Sequence, residues 1–193
     1  MPNRKVGTES QRTYKQYLLN GFFKKYMTGK GLDIGYAGYV DGTLPILPTA
    51  IGVDTNYTGY DGVTLPFADA SQDYVYSSHC LEHIADYKNA LRDWFRVLKI
   101  GGHIVLTVPH QFLYEKKAKL PSTWNLDHKR FYTPASLLAE VEQSLKPNTY
   151  RIRLLEDGDQ NFNYSIPPER HSSGQYEILL VLQKITPPAW DLA

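Results

Sequence analysis

Lys30-Gly-Leu-Asp-Ile-Gly-Tyr-Ala-Gly38 decides the fold. A short apolar strand runs straight into a turn of small residues, and an acid, Asp33, stands just before the turn. In open α/β sheets, ligands lie beyond the carboxyl ends of the strands, where strand order reverses, and small residues there let a ligand approach the backbone. A glycine turn after a strand also serves simply to reverse the chain, so this stretch alone leaves both readings open. Outward from it, Ala50-Ile-Gly-Val-Asp54 is a second strand ending in an acid. An acid about twenty residues past the first glycine turn is placed to accept hydrogen bonds from a ribose diol.

Further strands are expected at Asp73–Ser78 (leading into a helix from about His79), at His103–Val108 ended by Pro109, and at Tyr150–Leu155 and Tyr176–Lys184. Tyr87 to Leu98 is an amphipathic helix with Leu91, Trp94, Phe95 and Leu98 on one face, stopped by Lys99-Ile-Gly-Gly102. Thr133-Pro134 opens another helix to about Ser144, with Thr133 as N-cap and Pro134 at the first helical position. One N-terminal helix is predicted over about 10–26, with Ser10 as its cap and Tyr14, Tyr17, Leu18, Phe22 and Tyr26 recurring at helical spacing. His110 to Tyr132 reads as one long polar and aromatic loop, of a length that is often functional. Asp157 to Gly174 is a second loop, and Thr186 to Ala193 an irregular tail. Strands alternating with helices argue for an α/β fold with a mostly parallel sheet, and the last two strands pair as a hairpin that supplies an antiparallel strand.

The 193 residues suit a single domain, 1–193, large enough to bury a full core. Apolar residues at 42% and charged residues at 21% argue against a disordered or coiled-coil chain. Twenty-one basic against 20 acidic residues leave a net charge of +1, which gives no support to a nucleic-acid partner. The one cysteine, Cys80, excludes an internal disulfide. The basic start has no apolar run after it, and no apolar stretch is long enough to span a bilayer; the expectation is a cytoplasmic protein with no membrane partner.

Two further segments matter: Leu65-Pro-Phe-Ala-Asp69 followed by Ser77-Ser-His-Cys-Leu-Glu-His-Ile84, and Arg96-Val-Leu-Lys-Ile-Gly-Gly102. With the first two strands, these resemble the class I S-adenosylmethionine-dependent methyltransferases. The likeness is to the small type-11-like subgroup whose motifs run roughly LDIGCG, GVD, LPFPD, SSHVLEHI and R-L-K-P-G-G. It covers Lys30 to Pro109 and, more loosely, the chain to about Ser144, with the motifs in the right order. The resemblance implies a Rossmann-like three-layer sandwich of about six strands. It also implies S-adenosylmethionine as cofactor and methyl transfer to a small-molecule acceptor. Carried over residue by residue, Asp33, Gly35, Tyr36 and Ala37 belong to the turn under the methionine part of the cofactor. Asp54 takes the ribose hydroxyls, Asp61 the adenine amino group, and Ser78 and His79 line the methyl end. The chain departs from the pattern where Ala37 replaces a glycine and Tyr39 is large. Pro45 and Pro48, and the six residues between Asp54 and Asp61, predict that the crossover helices after the first two strands are shortened or missing.

Aromatic faces attract a sulfonium, and Tyr14, Tyr36 and Tyr39 are candidates beside the plainer reading as packing residues. His110 and His128 are the candidate bases, Asp127 stands beside His128, and Arg130 and Tyr132 are candidates for holding the acceptor. His79-Cys-Leu-Glu82-His83 fits the inverted zinc-protease pattern, but it coincides with the family's HVLEH segment and lacks a third ligand; no metal is expected. An oxygen acceptor is favoured because no Asn/Asp-Pro-Pro-Tyr signature follows the strand at Ser77-Ser-His-Cys. A saccharide is suggested by analogy for the loop Trp124 to Pro134. The alternatives are a non-catalytic cofactor-binding module or partner subunit, and an NAD-dependent dehydrogenase sharing the acid after the second strand.

Overall fold

The computed structural model describes residues 4–190; the first three residues and the last three of the predicted tail lie outside the described residues. Six strands form one sheet: β1 (Gly31–Ile34), β2 (Ala50–Val53), β3 (Gln72–Ser78), β4 (Leu98–Pro109), β5 (Tyr150–Gly158) and β6 (Glu177–Lys184). Their order is β2-β1-β3-β4-β6-β5; the first four run parallel, and β6 lies antiparallel between β4 and β5. This is the Rossmann-like α/β architecture that the sequence implied.

Alternate side chains of the strands go to opposite faces, and both faces are covered. Leu32, Ile34, Val75, Ile104 and Leu106 pack on Leu91 and Trp94 of α3 (Tyr87–Val97) and on Leu137 and Val141 of α4 (Pro134–Ser144). Tyr74, Tyr76, Val105, Leu179 and Val181 face α1 (Thr8–Leu19) and α2 (Phe22–Tyr26). The α4 start is as read from the sequence: the Thr133 side chain accepts from the Ser136 N–H, Ser136 answers the Thr133 N–H, and Pro134 follows the cap.

Several boundaries are corrected. The N-terminal helix is two helices, broken at Gly21, whose φ of +79° is left-handed. Ser10 lies inside α1, buried, where it receives the Tyr76 hydroxyl, and Gly7 occupies the cap position. The Gly101-Gly102 pair does not separate helix from strand; β4 begins at Leu98 and absorbs the pair through a register shift against β3. No helix starts at His79, only a 3₁₀ turn, Leu81–His83. The long loop holds one π-helical turn, Gln111–Glu115.

Among the described residues, no helix joins β1 to β2 or β2 to β3, as the prolines and the short spacing predicted. Side chains of α3 hold the second connection instead. Asp93 accepts the Leu65 N–H at 2.6 Å, while the Arg96 guanidinium donates to the Leu65 and Phe67 carbonyls and to Asp69. The chain steps from β1 out to β2 and returns across β1 to β3, so strand order reverses between β1 and β3. No described helix is long and apolar enough to cross a membrane.

Candidate functional site

At that reversal lies a cavity of about 670 Å³, lined by residues that follow three strand ends: Gly35 after β1, Asp54 after β2, and His79 and Cys80 after β3. The β2–β3 connection contributes Tyr60 and Asp61, and the turn after β3 contributes His83 to Asp86. A side pocket of about 230 Å³ shares Gly35, Tyr39, His79 and His83 with it and adds Ala37, Ser78, Glu82, Tyr114 and His128. The two form one crevice with acids at one end and an imidazole cluster at the other.

Local structure fixes the acid end. Asp54 accepts the Ala37 N–H at 3.0 Å and the Thr55 N–H at 2.8 Å, tying the carboxyl end of β2 to the turn after β1. That turn demands left-handed backbone twice: Gly35 has φ +75° and Ala37 has φ +60°. A Cβ at Gly35 would lie 2.7 Å from the Cys80 side chain, so a larger residue would block both the turn and the cavity floor. Ala37 takes a conformation that glycine adopts freely, at a strain of about 1–2 kcal/mol. Asp61 is exposed, and its Oδ1 accepts the Thr64 N–H at 2.6 Å and the Val63 N–H at 2.9 Å. These two bonds, Thr64 first, hold its carboxyl below the ordinary value.

At the other end Glu82 is fully buried, and among the described residues neither of its carboxylate oxygens has a hydrogen-bond partner. Three imidazoles surround its Oε1: His83 Nε2 at 3.7 Å, His128 Nε2 at 3.9 Å and His79 Nδ1 at 3.9 Å. His128 Nδ1 lies 2.5 Å from Glu115, and His83 Nδ1 lies 3.2 Å from Asp127. Each of these rings thus lies between two carboxylates, one at Nδ1 and Glu82 on the Nε2 side. His79, also left-handed at φ +50°, differs, because its Nε2 faces Glu177 at 3.2 Å. Burial disfavours its cation, but the hydrogen bond and charge of Glu177, with Glu82 and Glu9 behind, lift it to about 9.

The structure brings Gly35, Ala37, Asp54, Asp61, Ser78, His79 and His128 to this crevice. It does not bring the others. Asp33 is buried, and its carboxylate accepts the Ile46 N–H at 2.6 Å, closing the β1–β2 connection. Tyr36 packs over Gly38 and Gly52, beside a separate depression formed with Asn56, Tyr57 and Thr58. Tyr14 is in the apolar layer between α1 and the sheet, while Tyr39 stands exposed at the mouth of the crevice. His110 accepts the Phe112 and Leu113 N–H groups at Nδ1 and caps the π-helical turn. Arg130 donates to the Leu81 and Ala85 carbonyls, stacks on Tyr87 and faces Glu140, so its guanidinium pins the turn after β3. Tyr132 is buried and donates to Glu140 at 2.6 Å. Asp127 pairs with His83, not with its neighbour His128. Reading along the chain missed His83, Glu82 and Glu115; the Glu82-His83 pair sat in a noted motif, but nothing local marks Glu115 as the partner of His128.

A methyltransferase-domain family model matches residues 46–106. No curated protein sequence matches the chain. Among solved structures, the chain is similar to an S-adenosylmethionine-dependent methyltransferase from Aquifex aeolicus (11% identity, 92% of this chain and 94% of that one, TM-score 0.56). It is also similar to one from Mesorhizobium loti (13%, 89% and 98%, TM-score 0.52). The [4+2]-cyclase SpnF is similar to the same degree (15%, 89% and 82%, TM-score 0.55). At these identities the likeness is one of fold.

Proposed function

We propose that this chain is a class I S-adenosylmethionine-dependent methyltransferase of the type-11 kind that methylates an oxygen of a polar small molecule; the family-model match over residues 46–106 and the fold support the reading. The residues present suit the cofactor: a glycine floor at Gly35, an acid at the end of β2 and a cavity beyond the strand ends. Asp54 and Asp61 would hold the adenosine, and Gly35 would admit the methionine part. Bound there, the cofactor supplies an electrophilic methyl, whose bond to sulfur breaks as its bond to the acceptor oxygen forms, leaving S-adenosylhomocysteine.

One observation carries the choice of an oxygen acceptor. The side pocket is lined by two imidazoles, His83 and His128, each with a carboxylate at Nδ1, Asp127 at 3.2 Å and Glu115 at 2.5 Å. Such groups activate a hydroxyl, which must shed its proton, and their placement contributes through alignment. A hydroxyl-rich acceptor such as a nucleotide sugar suits the polar lining.

The test is calorimetry with S-adenosylmethionine and S-adenosylhomocysteine on wild type and Asp54→Ala, followed by labelled methyl transfer to a panel of hydroxylated small molecules. Binding that collapses in the variant, with label appearing on an alcohol, is the expected result. Binding with no turnover on any acceptor would favour a cofactor-binding partner subunit. No binding of either ligand would overturn the reading.

A further inference from the structure

Glu82 poses a problem that the methyl-transfer reading leaves unsolved. A buried carboxylate without hydrogen bonds is costly, and native proteins almost always partner such groups. Here both oxygens lack a partner among the described residues. Around them the imidazoles present nitrogen atoms, and the two best placed, His83 and His128, have Nδ1 occupied by Asp127 and Glu115. An imidazole whose far nitrogen donates to a carboxylate is the usual arrangement of a metal ligand.

We propose that Glu82, His83 and His128 bind a divalent cation of the zinc type, with Asp127 and Glu115 as positioning residues. One ligand atom from each lies within 4.8 Å of the others. Metal–ligand bonds of about 2.0–2.1 Å put neighbouring ligands roughly 3.3 Å apart, close to the 3.7 and 3.9 Å between Glu82 Oε1 and the two Nε2 atoms. Two imidazoles and one carboxylate select a borderline transition ion over magnesium or calcium, and three protein ligands leave coordination positions for water or a substrate oxygen. The adjacent group Glu9, His79 and Glu177 is a weaker candidate. Its Glu9 already receives Arg12 and Tyr176, and His79 already faces Glu177.

The site departs from the expectation of no metal. That expectation paired His79 with His83 on a helix and had no third ligand. The structure makes the segment a 3₁₀ turn, sends His79 to Glu177, and supplies His128 from a loop far along the chain. Arg130 and the Lys129 N–H, bonded to carbonyls of the same turn, hold the two segments together.

The cation site stands on side-chain geometry; its role rests on the methyl-transfer reading. With the ion bound, Nε2 of His83 and His128 would serve as its ligands and no longer as bases, and lowering the pKa of an acceptor hydroxyl would fall to the ion, with solvent taking the proton.

Metal-stripped protein is titrated with zinc by calorimetry and with cobalt(II) by visible absorption, with no cofactor or acceptor present. One ion per chain is expected, with an intense ligand-field band. Glu82→Gln and the partly exposed His83→Ala should each weaken binding about tenfold or more, and Glu115→Gln about 10–100-fold. Glu9→Gln should leave it unchanged. Circular dichroism confirms that each variant is folded; if Glu82→Gln is not, His83→Ala carries the test. No stoichiometric binding to folded wild type, binding that survives both ligand variants, or loss in Glu9→Gln alone would overturn the proposal. Cofactor affinity measured on the same samples separates the two readings: its absence refutes methyl transfer and leaves the cation site standing.

Discussion

Asp33→Asn should make the protein more stable above neutral pH and flatten its pH dependence. The carboxylate is buried at the end of β1, where it accepts the Ile46 N–H at 2.6 Å. Burial, opposed by that bond and reinforced by Asp54, pushes its carboxyl up from 3.8 to about 7. Below 3.8 both folded and unfolded chains hold the proton, and the stability it accompanies is fully present. Between 3.8 and about 7 the unfolded chain loses the proton first, so the folded state binds more protons and stability falls as pH rises. The whole fall is ~4 kcal/mol by linkage, of which about 2–3 kcal/mol lies between about pH 5 and about pH 8. Asparagine keeps an oxygen for Ile46 and never ionises. Urea unfolding of both proteins at the two pH values reads the difference of differences, in which histidines common to both cancel. Parallel pH profiles for wild type and variant would refute the reasoning.

Ala37→Gly relieves a left-handed alanine and should raise stability by about 1 kcal/mol in the same assay, with the Asp54 contact kept. Tyr132→Phe removes the hydroxyl that Glu140 accepts and should lower stability by about 1 kcal/mol. Calorimetry should find its cofactor affinity unchanged, since the residue faces α4 and not the crevice. His110→Ala uncaps the π-helical turn and should cost about 1–2 kcal/mol in thermal unfolding. Burial, opposed by Asp157, already holds that imidazole below its ordinary value, and the pH profile of methyl transfer should keep its shape in the variant.

How far the sequence was readable follows from what each feature depends on. Strand positions depend on runs of apolar residues, and Leu32 to Ile34, Tyr74 to Ser78 and Ile104 to Val108 all appear where those runs predicted. The missing crossover helices were also legible, because Pro45, Pro48 and the short Asp54–Asp61 spacing are local obstacles. The break at Gly21 was hidden, because Tyr14 to Tyr26 keeps helical spacing and one left-handed residue is enough to divide it. Cofactor-side residues could be placed wherever they follow a strand directly, as Gly35, Asp54 and His79 do. Asp33 points the other way, because adjacent residues of a strand face opposite sides of the sheet.

The imidazole cluster obeys a different rule. His128 meets Glu115 across 13 residues and Glu82 across 46, through a loop with no period to betray its path. Proximity in sequence was misleading there, since Asp127 turns from His128 to His83. What sets the path is Arg130, which reaches back to the Leu81 and Ala85 carbonyls and brings the loop against the turn after β3. The basic residue that looked like a handle for the acceptor is instead the brace that brings His128 to Glu82. Weakening that brace should therefore disturb the side pocket before it disturbs the cofactor cavity, whose walls are the strand ends themselves.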